Sequence, residues 1–130
     1  MHSFSYSPSL KNLVEAPDVT GERSVSDAVV AFIQIETADE QYDVASREKK
    51  LVNHLKWVAR KNNTNKVVLH SFAHLAATKA TAEFTGNVLD MAETRLNNGG
   101  YETFQTPFGY FLNLKIDAPG FSLARIWAEL

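Results

Sequence analysis

The chain has 130 residues, a hydrophobic content of 45%, and 13 basic against 15 acidic residues. That length suits one domain with a real core and not two, and the near-neutral balance excludes a chain that binds nucleic acid through bulk charge. Cysteine is absent, which excludes disulfides, thiolate metal sites and cysteine nucleophiles and suits a reducing cytosol.

Taken in chain order, residues 2–7 alternate weakly and suggest an edge strand. Residues 8–26 hold Pro8, Pro17, Gly21 and many small polar side chains, and read as a long loop. Ala28 to Ile35 is β-branched and aromatic and nearly all apolar, the pattern of a central strand buried on both faces. Ala38 to Asn62 reads as a helix, with Val44, Leu51, Val52, Leu55, Val58 and Ala59 on one stripe. Asn62 to Asn65 is a loop, and Lys66 to His70 a short buried strand. Strand, helix and strand form a βαβ unit, which predicts parallel strands with a right-handed crossover. A second helix is expected from about Ala80 to Leu96, with Phe84, Val88, Leu89, Ala92 and Leu96 as its apolar face and Asn97-Asn98-Gly99-Gly100 as its stop. Tyr101 to Gln105 and Gly109 to Ile116 read as strands joined tightly around Pro107, an antiparallel hairpin. Phe121 to Leu130 suggests a short terminal helix.

No apolar run approaches the ~20 residues of a membrane span, and residues 1–8 lack the basic start and apolar core of a secretory signal. Nucleotide-binding glycine loops, the G-x-S-x-G elbow and H-E-x-x-H are all absent. His70 and His74 are four apart, but along a strand that spacing spans roughly 13 Å, too far for one metal ion, so neither a metal nor a cofactor is expected. His54 lies on the basic helix and reads as solvated. His74 falls just beyond the carboxyl end of the Val67–Leu69 strand, where open α/β sheets gather ligands. There it could hold a water or a ribose hydroxyl, or simply bond a loop carbonyl. Pro107-Phe108-Gly109-Tyr110 reads equally as a turn above core aromatics or as a bend that exposes its backbone to a small ligand. Seven of the 13 basic residues (Arg47, Lys49, Lys50, Lys56, Arg60, Lys61 and Lys66) sit in one short stretch. They form either a solvated helix face or a phosphate-facing patch, with Lys56 and Arg60 as the candidate contacts.

Several segments taken together resemble the archaeal-type threonyl-tRNA synthetase editing domain. They are His2-Ser3, Val30-Ala31-Phe32-Ile33, Asp39-Glu40, Phe72-Ala73-His74-Leu75, Thr106-Pro107-Phe108-Gly109-Tyr110-Phe111 and Lys115-Ile116. The resemblance covers nearly the whole chain as a single domain, residues 1–130. It implies an α/β fold like D-aminoacyl-tRNA deacylase, with a mixed sheet, a βαβ unit, two main helices and the C-terminal hairpin. It also implies a homodimer, a cytoplasmic setting, aminoacyl-tRNA as ligand and a synthetase as partner, with no membrane. The implied activity is hydrolysis of a mischarged aminoacyl ester, by default seryl-tRNA(Thr), by water assisted by the tRNA 2′-hydroxyl. His74 would be catalytic. Val30, Phe72, Ala73, Pro107, Phe108, Gly109 and Tyr110 would line the aminoacyl pocket.

The chain departs from the family pattern in three places. Leu112 stands where the family carries a lysine, and Arg125 where it carries a glutamate, so both enter as pocket residues of changed chemistry. The family strand expected before His2 is missing or truncated. These departures leave a second reading, an editing-like module that binds tRNA, a small amino acid or a protein without efficient turnover.

Overall fold

The computed structural model describes residues 1–130 and places three layers on one another: a sheet, a second sheet, and a pair of helices. The first sheet has the order β2-β1-β6, from Ser3–Lys11 (β1), Arg23–Ser26 (β2) and Tyr110–Asp117 (β6). The second has the order β3-β4-β5, from Val29–Ile33 (β3), Lys66–Ser71 (β4) and Glu102–Gln105 (β5). The helices are Val44–Lys61 (α1) and Ala82–Asn98 (α2).

The expected parallel βαβ unit is present: β3 pairs with β4 from Val29↔Val67 to Ile33↔Ser71. Side-chain alternation divides this sheet between two cores. Val67 and Leu69, with Val29, Ala31 and Ile33, meet Leu51, Val52, Leu55, Val88, Leu89 and Leu96 of the helices. Val68, with Val30, Phe32 and Phe104, meets Phe4, Tyr6, Leu112 and Leu114 of the first sheet. The near-continuous apolar run of β3 thus reflects two-faced burial, although β3 is an edge strand and β4 the central one. Phe4, fully buried between the sheets, contributes about 1.5–3 kcal/mol by leaving water.

Other expectations are corrected. Residues 2–7 are no edge: β1 is the middle strand of its sheet and runs on to Lys11, and β2 rises out of the expected loop. The serines of Ser-Phe-Ser-Tyr-Ser face away from the core, and Ser5 Oγ meets Ser24 Oγ at 2.6 Å across the pair. Pro8 is tolerated because β2 pairs only with Ser3–Tyr6, so the proline lies beyond it, beside a bulge between Pro8 and Leu10. The helix expected from Ala38 begins at Val44. Thr37–Gln41 is a separate 3-10 turn, and Asp43 caps α1 by accepting from Ser46 N at 2.7 Å.

β5 and β6 do not form a hairpin. β5 pairs parallel to β4, from Lys66↔Glu102 to Leu69↔Gln105, while β6 pairs antiparallel to β1, from Ser3↔Asp117 to Lys11↔Tyr110. The Thr106–Gly109 link carries the chain from one sheet to the other. Gly109, at φ +91°, makes the reversal, and its carbonyl accepts from Asn12 N at 2.8 Å, which seats β6 on β1. The terminal segment carries one 3-10 turn, Ser122–Ala124, in place of the expected helix. Between the helices, Arg95 Nε donates to Glu48 Oε1 at 2.5 Å, so the single acid of the basic stretch is a buried cross-brace. No helix is long and apolar enough to cross a membrane.

Candidate active site

β4 aims alternate side chains at the first sheet, so Val68, His70 and then Phe72 and His74 continue along one side past the carboxyl end of the parallel sheet. The result is a ladder of rings. His70 stands 4.9 Å from Phe32, edge to face, 5.8 Å from Phe72 and 6.1 Å from Phe4. Phe72 stands 5.2 Å from Phe32 and 4.9 Å from His74. Phe72 therefore separates the two imidazoles. His70 is buried, and desolvation pushes its pKa below the ordinary histidine value. His74 and Ala73 are exposed at the turn that follows. Just past β5, Thr106 reaches the same end: its N–H donates to Leu69 O at 3.0 Å, and its Oγ1 lies 2.9 Å from His70 Nδ1.

The loop carrying His74 folds back over β3 and is pinned there by Gln34. Gln34 Oε1 accepts from Leu75 N at 2.6 Å and Ala76 N at 2.7 Å, and Nε2 donates to Ala76 O at 3.1 Å and Thr78 O at 2.7 Å. Ala80 N closes the loop on Ile35 O at 2.8 Å. Gln34 was missed as a site residue in the sequence. Its signal was being the one polar residue inside the apolar run from Ala28 to Ile35.

Along the free edge of β3 runs a cavity of about 620 Å³, walled by Val30 and Phe32, by Leu75 and Ala76 of the pinned loop, and by Arg125 and its neighbours in the terminal segment. Phe32 belongs to both the ladder and the cavity wall, and so joins them. Of the residues singled out from the sequence, Val30 and Arg125 face this cavity together, Phe72 and His74 belong to the ladder beside it, and Ala73 is exposed in the turn between them. Arg125 Nε donates to Pro119 O at 3.4 Å and is otherwise exposed. His54, read from sequence as solvated, is half-buried in the cavity wall and stacked 6.0 Å from Trp57.

The Pro107–Tyr110 bend is absent from that wall. Phe108 packs against the helix-side core. Gly109 is buried against Leu13 and Ala16, and Tyr110 Oη donates to Pro17 O at 2.7 Å while accepting from Val19 N at 3.0 Å. Leu112 lies on the inner face of the first sheet with Phe4 and Tyr6. In the basic stretch, Arg47 is held by Asp39 at 3.3 Å and by the Tyr42 ring at 4.2 Å. A Cβ at position 99 would stand 3.5 Å from Lys56 Nζ, so Lys56 reaches the carboxyl end of α2. Arg60 is exposed with no side-chain partner.

A small α/β domain with a ring ladder at the carboxyl end of a parallel sheet and a ligand-sized cavity beside it is consistent with the D-aminoacyl-tRNA deacylase-like editing domains. The particular family follows from comparison of sequences. A family model described as the archaea-specific editing domain of threonyl-tRNA synthetase matches residues 1–130, and the chain belongs to that family. A threonine–tRNA ligase of Methanopyrus kandleri is 30% identical over 124 residues, covering 95% of this chain and 20% of the relative. Ligases of Thermococcus sibiricus and Pyrococcus furiosus are 27% and 29% identical, over 90% and 78% of this chain and 19% and 16% of theirs. The chain thus spans about a fifth of the first of these relatives.

Proposed function

We propose that this domain hydrolyses mischarged aminoacyl-tRNA, with seryl-tRNA(Thr) as the default substrate and aminoacyl-tRNA as its working partner. The observation that carries the proposal is the ladder of rings that ends in the exposed His74 and shares Phe32 with a cavity whose wall includes Val30 and Arg125, in a chain of the editing-domain family. The cavity is of the size that takes a small ligand. The chain has no cysteine and so no thiol nucleophile, and the attacking group in this reading is a positioned water. His74 holds that water, the 2′-hydroxyl of the terminal ribose helps to activate it, and main-chain donors receive the developing oxyanion. Breaking the ester returns free amino acid and intact tRNA.

A specific observation favours a second reading. Leu112 and Arg125 replace the charged pair that the family resemblance leads one to expect, and Leu112 is packed among apolar side chains. That arrangement suits a binding module with little turnover.

One experiment separates the two. Seryl-tRNA(Thr), threonyl-tRNA(Thr) and a panel of other charged tRNAs are incubated with the protein and the ester is followed with time. Accelerated loss of one species, abolished by His74→Ala, is the expected result. Spontaneous rates across the panel with tRNA binding intact would establish the binding module instead.

A further inference from the structure

We propose that one flank of α1, formed by Lys50, His54, Trp57 and Lys61, is the platform on which the single-stranded 3′ end of a tRNA lies as it enters the cavity. The inference rests on aminoacyl-tRNA being the partner of this domain, and it deepens that reading by naming the surface that receives it.

The four residues follow one another at helical spacings of four, three and four, so they form a single stripe along the helix. This stripe is distinct from the flank that meets α2, where Glu48 holds Arg95 and Lys56 reaches Gly99. It borders the cavity: Lys50 and His54 belong to the wall that also holds Val30 and Arg125, while Trp57 and Lys61 continue the line outward. A strand laid along the stripe is thereby led to the cavity.

Two features fit the stripe to an unpaired nucleic-acid strand. The first is charge. α1 carries six cations and one acid, and that acid, Glu48, is buried against Arg95. Lys50 and Lys61 are exposed and neither is in an ion pair, so both ammonium groups are open to phosphate. They lie about 16 Å apart along the helix, the reach of a few nucleotides. Of the nearby acids, Asp39 is paired with Arg47 and Asp43 caps the helix, while Glu129 shares the cavity wall and pairs with neither lysine. The second feature is the ring pair between the two lysines. Trp57 is 40% exposed, and the half-buried His54 stacks on it with centroids 6.0 Å apart and planes 25° from parallel. That support orients the indole and leaves part of it to solvent. An exposed aromatic flanked by cations suits an unpaired base, whose face is free, whereas bases inside a duplex are already stacked on one another.

The test titrates the intact protein with deacylated tRNA(Thr) and with the same tRNA trimmed of its unpaired 3′-terminal nucleotides. Trp57→Ala is expected to weaken the full-length tRNA about tenfold and to leave the trimmed one unchanged, because only the former supplies an unpaired base. Trp57→Phe should restore most of that difference. Lys50→Ala and Lys61→Ala should each flatten the dependence of log K on log salt by about 0.7 for the full-length tRNA. Lys115→Ala, the same change of charge on the first sheet, should leave it alone. Trp127→Phe leaves Trp57 as the one tryptophan, whose emission should be quenched by the full-length tRNA and not by the trimmed one. Equal weakening of both tRNAs by Trp57→Ala overturns the inference, as do salt slopes no different from that of Lys115→Ala. In the ester assay at subsaturating tRNA, accelerated loss of a mischarged species that Trp57→Ala and Lys61→Ala leave untouched overturns it too, and the deacylase reading then stands without it. If the wild-type protein binds neither tRNA, both readings fail together.

Discussion

Replacing Gly109 by alanine tests whether the Pro107–Tyr110 bend is a structural corner or a ligand-facing turn. Two costs can be read from the geometry. At φ +91° an L side chain is strained by roughly 1–2 kcal/mol. The new Cβ would also lie 2.9 Å from Ala16 Cβ and 3.1 Å from Leu13 Cβ, which are backbone-anchored atoms that cannot swing away. Overpacking of this kind costs about 1–3 kcal/mol. The sum, roughly 2–5 kcal/mol, is a large share of the ~5–15 kcal/mol that holds a domain of this size. Urea denaturation measures it directly, as a lowered midpoint at unchanged slope. Ala16→Gly in the Gly109→Ala background should recover part of the loss by removing the closest contact, while the conformational strain stays. A loss below about 1 kcal/mol would refute the packing argument. So would an undiminished midpoint combined with lost ligand affinity, which would return the bend to the binding site.

Three further outcomes are expected. Burial holds the His70 pKa below its ordinary 6.5, so the unfolded chain binds this proton more readily. The stability it contributes is present above about 6.5 and lost as pH falls through that value toward the lowered folded one. The urea midpoint should accordingly fall more between pH 7.5 and 5 in the wild type than in His70→Phe, and equal falls would remove the histidine from the acid response. Gln34→Ala removes four hydrogen bonds on an exposed loop, for a loss of roughly 1–3 kcal/mol concentrated locally. Amide exchange at Leu75 and Ala76 should accelerate while α1 stays protected, and unchanged exchange would mean that something else pins the loop. Arg60→Ala should lower the salt dependence of tRNA binding by about one counterion if α1 meets phosphate, whereas an identical slope would leave Arg60 merely solvated.

The sequence displayed those parts of the fold that repeat with a period. The stripe from Val44 to Ala59 announced α1, the valines of β4 announced a buried strand, and strand–helix–strand order announced the parallel unit. What it concealed depends on partners distant along the chain. β5 and β6 looked like a hairpin because a short link with proline and glycine usually makes one, yet their partners, Lys66–Leu69 and Ser3–Lys11, lie in different sheets. Asp43 was readable as a cap only once α1 was known to begin at Val44. Glu48 is the one acid among the basic residues of α1, and its role depends on Arg95, 47 residues on, which lies against it. The site divides in the same way. His74 and Phe72 stand out in a local motif, whereas the pairing of His70 with Thr106 spans 36 residues, and Gln34 reaches a loop 41 residues away.

The link that takes the chain from one sheet to the other also fixes an order of assembly. β1 can find its long antiparallel partner only after residue 117 has been made, because β6 follows every helix and every strand of the second sheet. The βαβ unit closes over far shorter loops and can form earlier. The ring ladder needs both, since Phe4 comes from β1 and His70 from β4. Pulse-labelled hydrogen exchange during refolding should protect β4 amides before those of β1; the reverse order would contradict this sequence of events. On a ribosome, the cleft would thus be the last thing the domain acquires.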